Sequence, residues 1–185
     1  AMADISRAGI ILVSTLLFFL FKILGIKDLE SLPLNILLLF GGAMSIGFCL
    51  WDTGAATWMA VHWLTWFLNA HWLLFLLSIA FFVLMMTNFI MNVAAIAISL
   101  PVALVIAGYL GVSPQVVLFS ALVEAGMPFN LLIGAAPNAI AYESKQFSTG
   151  DFFLYGWPAN IVLMGVLTLA ILVVWPLLGM PILVK

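Results

Sequence analysis

Charged and turn-forming residues cut this chain into apolar stretches, and the spacing of the cuts predicts a succession of helices. Ala8 to Leu24 is long enough to cross a bilayer, with Lys22 placed to reach one interface. A polar loop from Gly25 to Pro33 carries Lys27, Asp28 and Glu30 and leads to a second predicted span, Leu34 to Leu50. Gly41, Gly42 and Gly47 in that span permit close helix approach or a local kink. Thr53 to Asn69 differs, because Trp58, His62, Trp63 and Trp66 crowd between apolar runs. Tryptophan and histidine suit the headgroup region, so residues 53–69 are predicted as an amphipathic interfacial helix.

Trp72 to Leu110 is apolar almost throughout, yet its middle reads Met86-Thr87-Asn88-Phe89-Ile90-Met91-Asn92. Amides deep in such a run are costly unless they turn the chain or bind something. The run is well beyond the roughly 20 residues that one crossing needs. A re-entrant hairpin over 72–110 is therefore predicted, with its arms meeting at the polar tip and Pro101 able to kink the second arm. Ser113-Pro114 opens the next helix with proline at the first helical position. That helix passes Glu124 and meets Gly126-Met127-Pro128, Asn130 and Gly134-Ala135-Ala136-Pro137-Asn138. These residues predict an unwound break and a short helix to Tyr142, so 113–142 reads as a broken helix. After a polar loop from Glu143, residues 152–178 supply the last span, with Trp157-Pro158 near its start and Trp175-Pro176 near its end.

The predicted fold is all-α and integral to a membrane, a single membrane domain over 1–185. Unpaired backbone at membrane depth is tolerated only where it is buried in protein or lines a cavity. Two such irregularities in one chain point to a transport site.

Composition identifies the solvent. Of the 185 residues, 66% are hydrophobic and 6% charged, with a mean hydropathy of +1.33. A soluble domain carries roughly a quarter charged residues. Five Lys or Arg and seven Asp or Glu cannot clothe a water-exposed surface, so the lipid bilayer is the expected partner and a multi-pass place in the cell (inner) membrane the expected location. The near-neutral balance leaves no basic footprint for nucleic acid. Cys49 is the sole cysteine, which excludes an internal disulfide and argues against a cysteine-based metal site. The two histidines are too far apart along the chain to share a metal ion, so interface anchoring is the better reading of them. No small-residue cleavage site follows the first apolar run, so no cleavable signal peptide is expected, and Met2 after Ala1 reads as the natural start. If the hairpin enters from outside, Lys22, Lys27 and Lys145 fall in the cytoplasm against Arg7 and Lys185 outside, which agrees with the positive-inside rule by a narrow margin.

The hairpin tip and the break share one chemistry. Thr87, Asn92 and Asn138 offer side-chain oxygens, and opened backbone near Gly134 and Ala135 frees carbonyls of the kind a small hard cation wants. Helix starts after Met91 and Ala136 present amide N–H groups to an anion. Asn92, at the start of the second arm, is expected to reach the cavity, with Asn88 on a different face of the first arm. The alternative is that Asn88 and Asn92 are interhelical hydrogen-bond glue and the glycines are packing contacts. Two clusters, each with an asparagine beside a predicted break, favour a site. Glu124 is the one carboxylate well inside a predicted span, where an ionised group costs at least about 2.5 kcal/mol. Two roles stay open for it: coupling to protons or cations, or a hydrogen bond to the backbone of a neighbouring half-helix.

Leu37-Leu38-Leu39-Phe40-Gly41-Gly42, Thr87 through Ala94, and Ala136-Pro137-Asn138-Ala139-Ile140 resemble the C-terminal half of the divalent-anion/sodium symporters. That family, part of the ion-transporter superfamily, carries dicarboxylates, citrate or sulfate. The resemblance covers the chain from about Leu34 onward and implies one inverted-repeat half, with a re-entrant helical hairpin and a broken transmembrane helix. It further implies bound Na+ as coupling ion, a small anionic substrate, and elevator-type movement in a dimer. By the same resemblance Asn92 contacts both sodium and substrate, and Thr87 with the Gly134 carbonyl falls at a second sodium site. Ala135, Ala136 and Asn138 fall on the substrate side. Met91 and Val93 stand where the family's tip has Ser and Thr, and Ala135-Ala136 where it has Thr-Pro, so contacts that hold a carboxylate are absent.

Only one repeat is legible, so either a homologous partner half or an oppositely oriented copy in a homo-oligomer is expected to complete the path. A membrane enzyme fits poorly, since no Gly-x-Ser-x-Gly elbow, His-Glu-x-x-His or paired intramembrane aspartates are present. A non-transporting accessory or scaffold subunit descended from a transporter is the remaining alternative. The hairpin reading is tested by cysteines at Trp72 and Leu110, which are expected to label from the same side of the membrane; labelling from opposite sides would refute it.

Overall fold

The computed structural model describes residues 7–25, 27 and 34–184. The expected start at Met2, the loop charges Asp28 and Glu30, and Lys185 lie outside the described residues. Every named element is helical, in accord with the all-α expectation, and the one extended pairing among the described residues is an isolated bridge between Val112 and Leu183. The chain divides into two compact units, 1–35 and 36–185.

The first unit holds α1 (Arg7–Leu20). It ends in two crossed backbone bonds, Ile23 N–H to the Phe18 carbonyl at 2.9 Å and Lys22 N–H to the Phe19 carbonyl at 3.0 Å. Lys22 takes the left-handed conformation (φ 59°) that this cap requires, a place more often filled by glycine. Ser14 and Thr15 return their hydroxyls to the Ile10 and Ile11 carbonyls, which leaves no unsatisfied hydroxyl donor on an apolar helix.

The second unit takes in most of α2 (Leu34–Asp52), then α3 (Ala55–Thr65), α4 (Trp72–Thr87), α5 (Asn92–Leu110) and α6 (Pro114–Ala125). A 3-10 turn (Leu132–Gly134), α7 (Ala136–Tyr142), α8 (Thr149–Leu169), a π-helical stretch (Ala170–Val174) and the short α9 (Trp175–Leu177) follow. α4 is the centre. Phe75, Leu76, Ile79, Ala80 and Val83 are fully buried, and α4 packs on both α5 and α6. α3 shows two stripes at fourfold spacing: Ala56, Ala60 and Leu64 are buried, while Trp58, His62 and Trp66 face outward. Trp58 stacks on His62 with ring centroids 4.7 Å apart, and Trp63 donates its indole N–H to the Ser78 carbonyl on α4.

α5 buries small residues, Ala95, Ser99, Ala103 and Ala107. Small side chains allow the close backbone approach on which van der Waals packing between helices depends. α5 closes at Gly111 (φ 66°), where Val112 N–H reaches the Ala107 carbonyl. The C-terminal tail returns to this corner through Ser113 N–H to Ile182 O and Val184 N–H to Gly111 O, both 2.8 Å. α8 starts on a reciprocal cap: the Ser148 hydroxyl accepts from Asp151 N–H, and the Asp151 carboxylate accepts from Ser148 N–H. Two described helical stretches, Asn92–Leu110 and Thr149–Leu177, are long and apolar enough to cross a membrane. Ile161, Val162, Val166 and Leu169 lie exposed on the second of these, a surface suited to lipid.

Candidate functional site

The residues from Trp72 to Leu110 form two helices joined by a four-residue tip, 88–91. α6 ends at Gly126, and no α-helix resumes until Ala136. The stretch between, 126–135, is the break. Tip and break meet. Asn88, buried at 2% exposure, accepts from the backbone N–H of Leu131 at 2.9 Å and of Asn130 at 3.2 Å. Its own Nδ2 donates to the Leu84 carbonyl at 2.7 Å. The opened backbone therefore ends on the hairpin through one side chain.

Two glycines set how near the segments of this junction lie. A Cβ on Gly134 would come within 2.7 Å of Pro128 Cβ and 3.3 Å of the Thr87 carbonyl. A Cβ on Gly156 of α8 would overlap the Phe129 carbonyl. One turn later on the same face of α8, Asn160 donates to the Asn130 side-chain oxygen at 2.5 Å. On α2, Gly47 packs against Phe89 and Ile90 of the tip, whereas Gly41 and Gly42 meet nothing within 4 Å.

The residues singled out from the sequence fall as follows. Thr87 is fully buried, and its hydroxyl donates to the Leu84 carbonyl. Asn92 is half-buried at the first position of α5, and its side chain makes no hydrogen bond with the described residues. Gly134 and Ala135 lie at the end of the break beside Thr87, and Ala136 opens α7. Asn138 donates across the break to the Pro128 carbonyl at 2.8 Å. Glu124, fully buried in the last turn of α6, has no hydrogen-bond partner at either carboxylate oxygen among the described residues. Asn88, Asn130 and Asn160 carry the junction and were not singled out as site residues. The first two stood in the polar clusters. For Asn160 the available signal was the pair Gly156 and Asn160, one turn apart in an otherwise apolar helix.

An open cleft of about 490 Å³ lies beside the break, lined by Phe129, Phe147, Asp151, Tyr155 and Gly156 among others. None of Thr87, Asn92, Gly134, Ala135 or Asn138 lines it, so its position does not coincide with the tip-and-break chemistry. His62 stacks on Trp58, and His71 accepts from Leu73 N–H at the start of α4. No three His, Cys, Asp or Glu among the described residues gather as a metal cluster.

Comparison with known proteins places this arrangement. The citrate transporter family matches over residues 1–181. The chain is 27% identical over 151 residues to the sodium-dependent dicarboxylate transporter SdcS of Staphylococcus saprophyticus, covering 81% of this chain and 29% of that one. It is 32% identical over 147 residues to the human Na(+)/dicarboxylate cotransporter 3, covering 78% of this chain and 24% of that one. A transporter of Methanocaldococcus jannaschii matches at 26% over 160 residues, 86% of this chain and 36% of its own. The chain thus spans about a quarter to a third of the length of these relatives. These likenesses point to a membrane transporter and not to an enzyme.

The contact between α8 and the break generates a direct test. Gly156→Ala forces a methyl into the Phe129 carbonyl, a backbone atom that cannot rotate away. Overpacking of this kind costs about 1–3 kcal/mol. A lowered unfolding midpoint in detergent is expected, while Gly165→Ala, where nothing lies within 4 Å, is expected to leave it unchanged. Equal midpoints for the two variants would contradict the close approach.

Proposed function

Because the chain belongs to the citrate transporter family, we propose that it forms one repeat of a sodium-coupled symporter for a small anion of the di- or tricarboxylate or sulfate class. The observation that carries this reading is the meeting of the two helix interruptions, with Asn88 of the tip accepting from both Asn130 and Leu131 of the break. Transporters built from inverted repeats hold substrate and coupling ion at discontinuous helices of this kind. Two relatives are named for sodium-dependent dicarboxylate transport, which supports the choice of ion and anion class.

On this reading 72–110 is a re-entrant hairpin and 113–142 a broken membrane helix. The free amide of Asn92 serves both ion and anion. Thr87 and the Gly134 carbonyl serve the sodium side, and Ala135, Ala136 and Asn138 the anion side. Every one of these groups is an uncharged oxygen or amide, a donor set that suits Na+ beside an anion. The opened backbone needs cover that lipid cannot supply. A second repeat, in the same polypeptide or in a partner, provides it, and the exposed Gly41 and Gly42 offer a small-residue face for such contact. Tip and break then move as one body in an elevator-type cycle within the cell membrane, with Trp58, His62 and Trp66 at the headgroups. Glu124, whose oxygens have no donor, is the further acceptor for a coupling cation.

Thermal unfolding of the purified protein in lipid nanodiscs, with Na+ replaced stepwise by choline at constant ionic strength, tests the reading. Sodium is expected to stabilise by about 2.7 kcal/mol at a hundredfold excess over its dissociation constant. Asn92→Ala is expected to remove most of that gain, and Glu124→Gln to flatten its dependence on sodium. A wild-type protein indifferent to sodium would instead favour a non-transporting accessory subunit, and unchanged steepness in Glu124→Gln would return Glu124 to a structural part.

A further inference from the structure

The structure assigns to Asn88, Asn130 and Asn160 a buried amide relay that holds the unwound segment in the shape the transport site needs, with Asn88 as its positioning residue. The inference rests on the transporter reading above. None of the three asparagines is a ligand in that reading; they hold the segment that leads to Gly134, Ala135 and Asn138.

Four consecutive residues of the break are held from three sides. Pro128 gives its carbonyl to Asn138 Nδ2 at 2.8 Å, and the Phe129 carbonyl lies against Gly156 of α8. Asn130 and Leu131 give their N–H groups to the single oxygen of Asn88 at 3.2 and 2.9 Å. Asn130 Oδ1 in turn receives Asn160 Nδ2 at 2.5 Å. All three asparagines are at most 5% exposed.

The orientation of the Asn88 amide is decided by its neighbours. Two backbone donors face one end and the Leu84 carbonyl faces the other, so a flipped amide would set donors against donors. Asn88 thus replaces the helical carbonyls that the break has lost, as a capping side chain does at a helix end. Asn160 is fixed by donation alone, because its own Oδ1 is buried without a donor. Loss of Asn130's position therefore leaves Asn160 with nothing to hold it. The relay joins hairpin tip, break and last span, and the same segment carries Asn138 through Pro128. Simple glue between helices would pair one side chain with one partner; here one oxygen orders consecutive amides two residues beyond that carbonyl.

Asn88 and Asn160 share no hydrogen bond with each other, so their coupling runs through Asn130. The test is a double-mutant cycle of Asn88→Leu and Asn160→Leu in nanodiscs, reading the sodium concentration for half-maximal stabilisation and hydrogen exchange at the Asn130 and Leu131 amides. Asn88→Leu is expected to speed exchange at those two amides, with Ile79 and Ala121 of the core still protected, and to raise the sodium midpoint by about tenfold. Asn160→Leu is expected to raise the midpoint as well, and the double variant to be no worse than the more damaging single one. Additive effects, or a midpoint unchanged in Asn88→Leu, would overturn the relay. If Asn88→Leu loses core protection, Asn160→Leu alone decides: a raised midpoint supports the relay and an unchanged one refutes it. A wild-type protein without any sodium response would instead remove the transporter reading, while the exchange data would still report whether Asn88 holds the break.

Discussion

The amides of Asn130 and Leu131 belong to no helix, and in an apolar interior they must end on a protein oxygen. An amide left unpaired in an apolar interior costs several kcal/mol, because no water is there to satisfy it. Both end on Asn88. The geometry of the junction follows from that constraint. The tip must lie over the break, so Thr87 comes to rest beside Gly134, and only a residue without a side chain fits between Thr87 and Pro128. α8 must then come close from the other side, and Gly156 lets it touch the Phe129 carbonyl.

The surrounding helices answer to a different requirement. A solvent of hydrocarbon does not drive apolar side chains together, so the helices associate by fit and by hydrogen bonds between small polar groups. The buried hydroxyls show how this is done at low cost. Ser99 and Ser120 each return a hydrogen bond to a carbonyl of their own helix, and Thr87 does the same. Each presents a small, satisfied surface to its neighbour. Alanines along α5 and α3 do the same without any polar atom, and these two helices pack directly on each other.

Much of this was legible in the sequence, for reasons that differ by element. The hairpin showed itself because Thr87, Asn88 and Asn92 interrupt a run that carries no charged residue at all. The break showed itself through glycine, proline and asparagine where an apolar helix would not place them. Trp58, His62 and Trp66, grouped in the sequence by residue type together with Trp63, fall on one outward stripe because they stand four residues apart. What escaped was the structural part that Asn88 plays. Spacing set Asn88 on a face away from the expected cavity, but the face that mattered was the one turned to residues 130 and 131, some forty positions onward. Of Gly41, Gly42 and Gly47, the last alone meets a neighbour within 4 Å among the described residues, because close approach within the chain depends on where the tip docks. The return of the tail to Gly111 depends on tertiary contacts and left no local trace.

Glu124 brings the two requirements into conflict and so locates the remaining freedom in the junction. It is the fully buried carboxylate of α6, two residues before the break, and neither oxygen meets a donor among the described residues. The elements packed on α6 give it no cation: α4 and α5 contain no charged residue, and on α8 the one charged side chain, Asp151, is exposed and tied to the Ser148 cap. Asn88, Asn138 and Asn160 each donate from the side-chain amide to fix a position, and Asn130 accepts. A glutamate used for structure would be expected to accept in the same manner. Glu124 accepts from nothing among the described residues, so on the proposed reading it is the carboxylate beside the break that is open to a coupling cation or proton.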